Sequence, residues 1–235
     1  MQHLDAAFGG VGEACPARAP RDEVAYLVGV IAGTLAQLHD KAGGNFVGVP
    51  MDTLPRMARA AECLDNEKWW HVPSTIQWSA WVSIPGSGPT DVEPWAALES
   101  AASQGEGSGV RVARAMASLI ASNADQTEAL HDGIVSHAQS LENTPSDSKW
   151  ALLDAYATSV TLFASDRIWT AEEGHRTPEF GVLPGSIQTS GPLGPDPFAA
   201  DPFGSADPFG ESPTSEDSSP DEPQSVSPAV ETEGD

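Results

Sequence analysis

Apolar positions recur at helical spacing through the first three quarters of the chain and then stop. Between Val24 and Leu38 they are nearly continuous, with Val24, Leu27, Val28, Val30, Ile31, Leu35 and Leu38 covering most of a helix circumference. Pro20-Arg21-Asp22-Glu23 reads as the start of this helix, with proline early and acids in the first turn, and Gly43-Gly44 as its stop. A helix apolar on all sides is expected at the buried centre of a bundle. It is too short and too interrupted to cross a bilayer, which takes about 20 apolar residues. Gly29 and Gly33 point to close packing against a neighbouring helix.

The same spacing predicts further helices. Asp52-Thr53-Leu54-Pro55 opens one with Leu54, Met57, Ala61 and Leu64 on one side. Thr90-x-x-Glu93 reads as a capping box before a helix through about Ala102, and Ser103 to Gly109 as a break. Val110 to Ile120 forms the next helix. Asp125-x-x-Glu128 restarts it, with Leu130, Ile134, Ala138 and Leu141 on one face. The last helix carries Trp150, Leu153, Ala157, Val160, Ala164 and Ile168 at helical spacing and fades near Glu173-Gly174. Leu152, Tyr156 and Phe163 are expected to widen its buried face. One segment is ambiguous. Ile76, Trp78, Ala80, Val82 and Ile84 alternate like a strand, with Asn45 to Val49 as the nearby partner, but Pro73-Ser74 looks like a helix entry and favours a short helix.

These patterns imply an all-α protein: a compact bundle of about five to seven helices over residues 20–175, a flexible small-residue segment at 1–19, and a disordered acidic tail at 176–235. The tail is rich in Pro, Ser and Asp and holds one tripeptide three times: Asp196-Pro197-Phe198, Asp201-Pro202-Phe203 and Asp207-Pro208-Phe209. Proline fixes its own φ and pushes the preceding aspartate toward extended or turn geometry. Phenylalanine is left as an apolar anchor for a partner's pocket. Three copies on one segment let weak contacts add. The repeat resembles the Asp-Pro-Phe linkers of eukaryotic clathrin-adaptor accessory proteins, which such adaptors bind. That resemblance covers the fifteen residues Asp196 to Gly210 and none of the helical part, so the chain is not assigned to the family.

Charge narrows the partners. The net charge is −23 and the pI about 4.3. Up to His175 there are 10 basic and 22 acidic residues, a net −12; after it there are 1 and 12, a net −11. A body this acidic is not expected to hold nucleic acid by its phosphates or to sit on anionic membrane. Its natural complement is a basic protein. Scarce lysine with abundant alanine, glycine and proline suggests a high-GC bacterium or phage. Two cysteines, Cys15 and Cys63, make neither a disulfide framework nor a zinc set and fit a reducing cytoplasm.

Catalytic patterns are weak. Glu128 with His131, and Glu172 with His175, are Glu-x-x-His pairs of the kind that hold di-iron centres in bundles, with Glu62 and Glu99 as further carboxylates. Glu62-Cys63-Leu64-Asp65 resembles half of the Glu-x-x-Asp signature of all-helical nucleotide pyrophosphohydrolases, but no Glu-x-x-Glu precedes it. No phosphate loop or nucleophile elbow occurs. His39, His71 and His137 read as helix-end or surface residues. Trp69, Trp70, Trp78 and Trp81 line either a groove or the core. The expectation is therefore a cytoplasmic, non-enzymatic interaction protein that needs no metal or cofactor and displays Asp-Pro-Phe anchors to a basic protein. The alternatives are an acidic body that mimics nucleic acid and a metal-dependent helical hydrolase or oxidase.

Overall fold

The computed structural model describes residues 2–16, 19–84 and 86–185. All lie in the first of two units, Met1–Gln188; the second is Thr189–Asp235. The described residues form eight helices and no strand: α1 (Gln2–Phe8), α2 (Pro20–Ala42), α3 (Thr53–Ala61), α4 (Val72–Ser83), α5 (Pro94–Glu106), α6 (Val112–Asn123), α7 (Thr127–Asn143) and α8 (Ala151–Glu173). Six fall where the apolar and capping patterns place them, and α4 falls where the Pro73-Ser74 entry, against the strand-like spacing, favoured a helix. The ambiguous tryptophan segment is helical: Pro73 sits in the first turn of α4, and Trp70 and His71 both adopt positive φ to turn the chain into it.

The centre of the bundle is α6, not α2. Helices α2, α4, α5, α7 and α8 all pack on α6, and α3 bridges α2 and α4. Residues 112–118 and 120–121 of α6 are all buried. Alanine at 113, 115, 117 and 121 lets its neighbours approach closely on every side. Gly105 of α5 makes the same approach possible: a Cβ there would meet the Trp70 carbonyl oxygen at 2.7 Å and the Ala113 Cβ at 2.9 Å. Helix α2 lies at the edge instead. Tyr26, Leu27, Val30 and Leu38 are buried, while Ala25, Val28, Ala32 and Ala36 face solvent.

Other boundaries shift for local reasons. Glu93 is itself the N-cap of α5 and accepts from Ala96 N, because Pro94 takes the first helical position and holds residue 93 extended. Asp125 does not cap α7; it adopts φ +55° between α6 and α7, and Gln126 is the N-cap. Residues 1–19, read from composition as flexible, are tied to the body where they are described. Val11 is fully buried, Arg56 of α3 pairs with Asp5 at 2.9 Å, and Arg59 Nε donates to the Gly12 carbonyl at 2.9 Å. Cys15 and Cys63 form a disulfide across 48 residues, so the reading of two unpaired thiols is corrected. At the other end, residues 177–185, read as the start of the tail, lie against the body. Trp169 Nε1 donates to the Val182 carbonyl at 3.0 Å, and Phe180 and Leu183 join a cluster with Leu130 and Ile134.

Two arginines are buried completely, Arg111 at the N-cap of α6 and Arg114 in its first turn. Arg111 donates from Nη1 to Asp154 Oδ2 at 2.7 Å, from Nε to Ser140 Oγ at 2.5 Å, and from Nη2 to the Ser140 and Thr144 carbonyls; its backbone N–H reaches Asp154 Oδ1. It thus joins the end of α7 to the start of α8. Arg114 pairs with Glu106 at 2.7 Å and with Glu99 at 2.5 Å, joining α5 to α6. Burial alone lowers a guanidinium's pKa, but these two carboxylates outweigh it and leave the Arg114 pKa raised.

Two outcomes follow for stability. Arg111→Met lowers the unfolding free energy in urea by about 3–5 kcal/mol, because Asp154 stays buried without its partner; Arg111→Met combined with Asp154→Leu costs less than Arg111→Met alone. Reducing the disulfide, or replacing both cysteines by serine, lowers it by about 2–4 kcal/mol, measured by the same denaturation with and without reductant.

Candidate functional site

The chemistry proposed for catalysis does not assemble. Among the described residues, no three His, Cys, Asp or Glu side chains are placed to hold a metal ion. Glu128 and His131 start α7, whereas Glu172 ends α8 and His175 stacks on Trp169 beyond it. Glu62 is the exposed C-cap of α3, Cys63 is in the disulfide, and Glu99 is engaged by Arg114.

His137 is not a surface residue. It is fully buried in α7, with Phe180 edge-on at 5.5 Å. Its Nε2 lies 3.1 Å from Thr158 Oγ1 and its Nδ1 3.0 Å from Thr161 Oγ1. Both hydroxyls also reach back to a carbonyl of their own helix, Thr158 to Asp154 at 3.0 Å and Thr161 to Ala157 at 3.3 Å, so the imidazole N–H is donated to one threonine oxygen and the other threonine divides its proton between the ring and its carbonyl. Burial, reinforced by the nearby Arg111 charge, pushes its pKa from 6.5 down to about 4; Arg114 adds to this and Asp154 opposes it. It is a neutral core group with a threonine hydroxyl within hydrogen-bond distance of each ring nitrogen.

The tryptophans divide. Trp69 and Trp70 are core, packed edge-to-face on each other and on Trp150 at 5.0–5.8 Å. Trp69 Nε1 also donates to Glu23 at 2.8 Å. Trp78 and Trp81 form a second, half-buried pair on α4, with ring centroids 4.5 Å apart. The four do not line one groove. The nine residues of the Asp-Pro-Phe repeats, Asp196 to Phe198, Asp201 to Phe203 and Asp207 to Phe209, lie outside the described residues.

What the fold does present is apolar surface in two places. The first is the loop between α2 and α3. Asp40, buried in the last turn of α2, accepts from Val47 N at 2.8 Å and Val49 N at 2.6 Å through its carboxylate, and from Asn45 N at 2.7 Å through its carbonyl. Positive φ at Gly44, Asn45 and Gly48 lets the chain fold around that carboxylate. The backbone is held while the side chains point away: Phe46 is 94% exposed, and Val47 and Met51 are also largely in solvent.

The second place is the outer face of α8. Leu152, Tyr156 and Phe163, expected in the core, are exposed, Leu152 by 83% and Phe163 by 65%. The buried face is instead Asp154, Ala157, Thr161, Ser165 and Trp169. Small and polar side chains there let α8 come close to α6 and α7, place Asp154 on Arg111 and set Thr161 on His137. The larger apolar residues are left outside. Between α2 and α8 runs a narrow apolar groove with α6 at its base, lined by Ile31, Leu35, Met116, Leu119, Tyr156 and Val160. Residues 24–38 carry no charge, and from 150 to 163 the one charged residue is Asp154, turned inward onto Arg111. These faces are therefore uncharged patches on a strongly acidic chain. Their residues are apolar, so sequence spacing counted them as core. No family model, curated protein or solved structure matches the chain.

The His137 environment has a measurable consequence. Its folded pKa lies below its unfolded value, so the unfolded chain binds the extra proton between about pH 6.5 and pH 4. Its stabilising contribution is present above about pH 6.5 and is lost as pH falls to about 4, up to about 3 kcal/mol. Urea melts across this window should fall steeply for the native chain and less steeply for His137→Gln.

Proposed function

We propose that this chain is a non-enzymatic interaction protein: a helical body carrying apolar anchors, with the Asp-Pro-Phe repeats as further anchors on the acidic C-terminal segment. The observation that supports this best is the outward placement of Phe46, a large side chain almost wholly in solvent on a loop whose backbone is pinned by a buried carboxylate. A side chain presented this way costs little to order on binding, which is what an anchor requires. The uncharged outer face of α8 supplies area of the kind that marks contact sites. The surrounding negative charge selects a protein with a basic rim and speeds its approach.

Among the described residues, no helix is long and apolar enough to cross a membrane. The expectation of a reducing cytoplasm rested on unpaired cysteines. With Cys15 and Cys63 joined, an oxidising compartment suits the chain better.

The test is affinity capture from native lysate with three baits: the full chain, Phe46→Ser with Phe163→Ser, and Phe198→Ala with Phe203→Ala and Phe209→Ala. Both variants should keep the stability of the parent to within about 1 kcal/mol, since the body substitutions sit on the surface. A protein held by the parent and lost from either variant is the expected result. An identical set of captured proteins from all three baits would overturn the reading.

A further inference from the structure

Between α5 and α7, with α6 beneath, lies an open cleft of about 490 Å³. Its base is apolar, built from Leu98, Ala117 and Ala121. Trp95, half-buried, stands on the α5 side. Glu128 and Asp132, one turn apart on α7, stand on the other. Such a cleft is large enough for a small ligand or one long side chain.

Its electrostatics are one-sided. Arg114 is the one cation among the lining residues, and it is already taken up by Glu99 and Glu106. Glu93 also lines the cleft, with its carboxylate capping α5. The carboxylates of Glu128 and Asp132 form no ion pair or hydrogen bond with any described residue. Like charges one turn apart cost a helix a few tenths of a kcal/mol, offset in part here by the place of Glu128 in the first turn of α7. A further observation points to a ligand. Ser118, on the cleft base and 2% exposed, has a hydroxyl with no hydrogen-bond partner. Buried hydroxyls are normally satisfied, so this one stands out as an unused acceptor or donor.

We propose that this cleft binds an organic cation on an aliphatic stem: a primary ammonium or guanidinium, with the stem over Leu98, Ala117 and Ala121 and the charge between Trp95 and the Glu128–Asp132 pair. An aromatic face and carboxylates together favour an alkylated cation over a bare metal ion. The lining also lacks a metal-binding group of three His, Cys, Asp or Glu. The cation can come from a free polyamine or from a lysine or arginine side chain of a protein. The site stands on its own geometry and does not depend on the apolar surfaces of the interaction reading.

The experiment titrates the full chain, at low and moderate salt, with spermidine and separately with short lysine- and arginine-containing peptides, following heat and tryptophan fluorescence. Three proteins are compared: the parent, Glu128→Gln with Asp132→Asn, and a charge-matched control, Glu142→Gln with Glu173→Gln. All four acids are exposed, so both variants fold. The cleft variant should bind at least about tenfold more weakly than the parent, and the control within about twofold of it. Ser118→Ala should weaken binding by a smaller factor. Tighter binding of spermidine or of a peptide identifies the source of the cation and supports the site in either case. Equal losses in the two charge variants would show diffuse attraction and overturn the proposal, as would no binding of either probe by the parent at millimolar concentration.

Discussion

The fold depends on two guanidinium groups one turn apart, Arg111 at the N-cap of α6 and Arg114 within it, on a helix that carries no other charge. A buried arginine is tolerable only when every donor is met, and α6 recruits its neighbours to meet them. Arg111 draws in the end of α7 and the first turn of α8; Arg114 draws in α5. Three connections distant in sequence are thereby fixed to one central helix by directional bonds, on top of the apolar packing that brings them together. Hydrophobic burial supplies the larger energy but no preferred register. The arginine bonds supply register, because a slip of one residue would leave a charge unpaired in the core.

This division explains what was legible in the sequence. Apolar periodicity and capping signals located six of the eight described helices, because a helix buries a face and that face repeats, and a proline entry pointed to α4 where the spacing alone read as a strand. Periodicity could not say which helix is central. Helix α2 has the more continuous apolar run, yet its outer positions are Ala25, Val28, Ala32 and Ala36, three of the four small enough to face water cheaply. Helix α6 carries two arginines, which by composition alone argue for a surface position, and it is the most buried of all. The bonds that reverse this link residues up to 43 apart in sequence, and no local pattern reports them. The same holds for His137, read as a helix-end or surface residue, which is core and meets Thr158 and Thr161 of α8.

The candidate surfaces were less legible for a related reason. Helix α8 is apolar on nearly every side, so its spacing permits several buried faces. The fold chose the one with Asp154, Thr161 and Ser165, since those positions satisfy Arg111 and His137 and allow close approach. Leu152, Tyr156 and Phe163 were then left outside. Phe46 followed the same logic at smaller scale: Asp40 is consumed in holding the loop backbone, and the loop's apolar side chains have nowhere inward to go. Tryptophan content was a poor guide, because Trp69 and Trp70 were taken into the core together with Trp150.

Exposed apolar faces invite self-association, and the charge distribution bears on that. Outside those faces the body carries a net −12, and two copies that come within about a Debye length of each other, roughly 8–10 Å, are repelled by that like charge. An oppositely charged partner meets no such barrier. On the proposed reading, the acidic surface and the apolar faces therefore act at different stages: charge filters which molecules arrive, and Phe46 or the α8 stripe governs how long they remain. The two properties look contradictory when composition is averaged over the chain, and they become complementary only once the fold separates them in space.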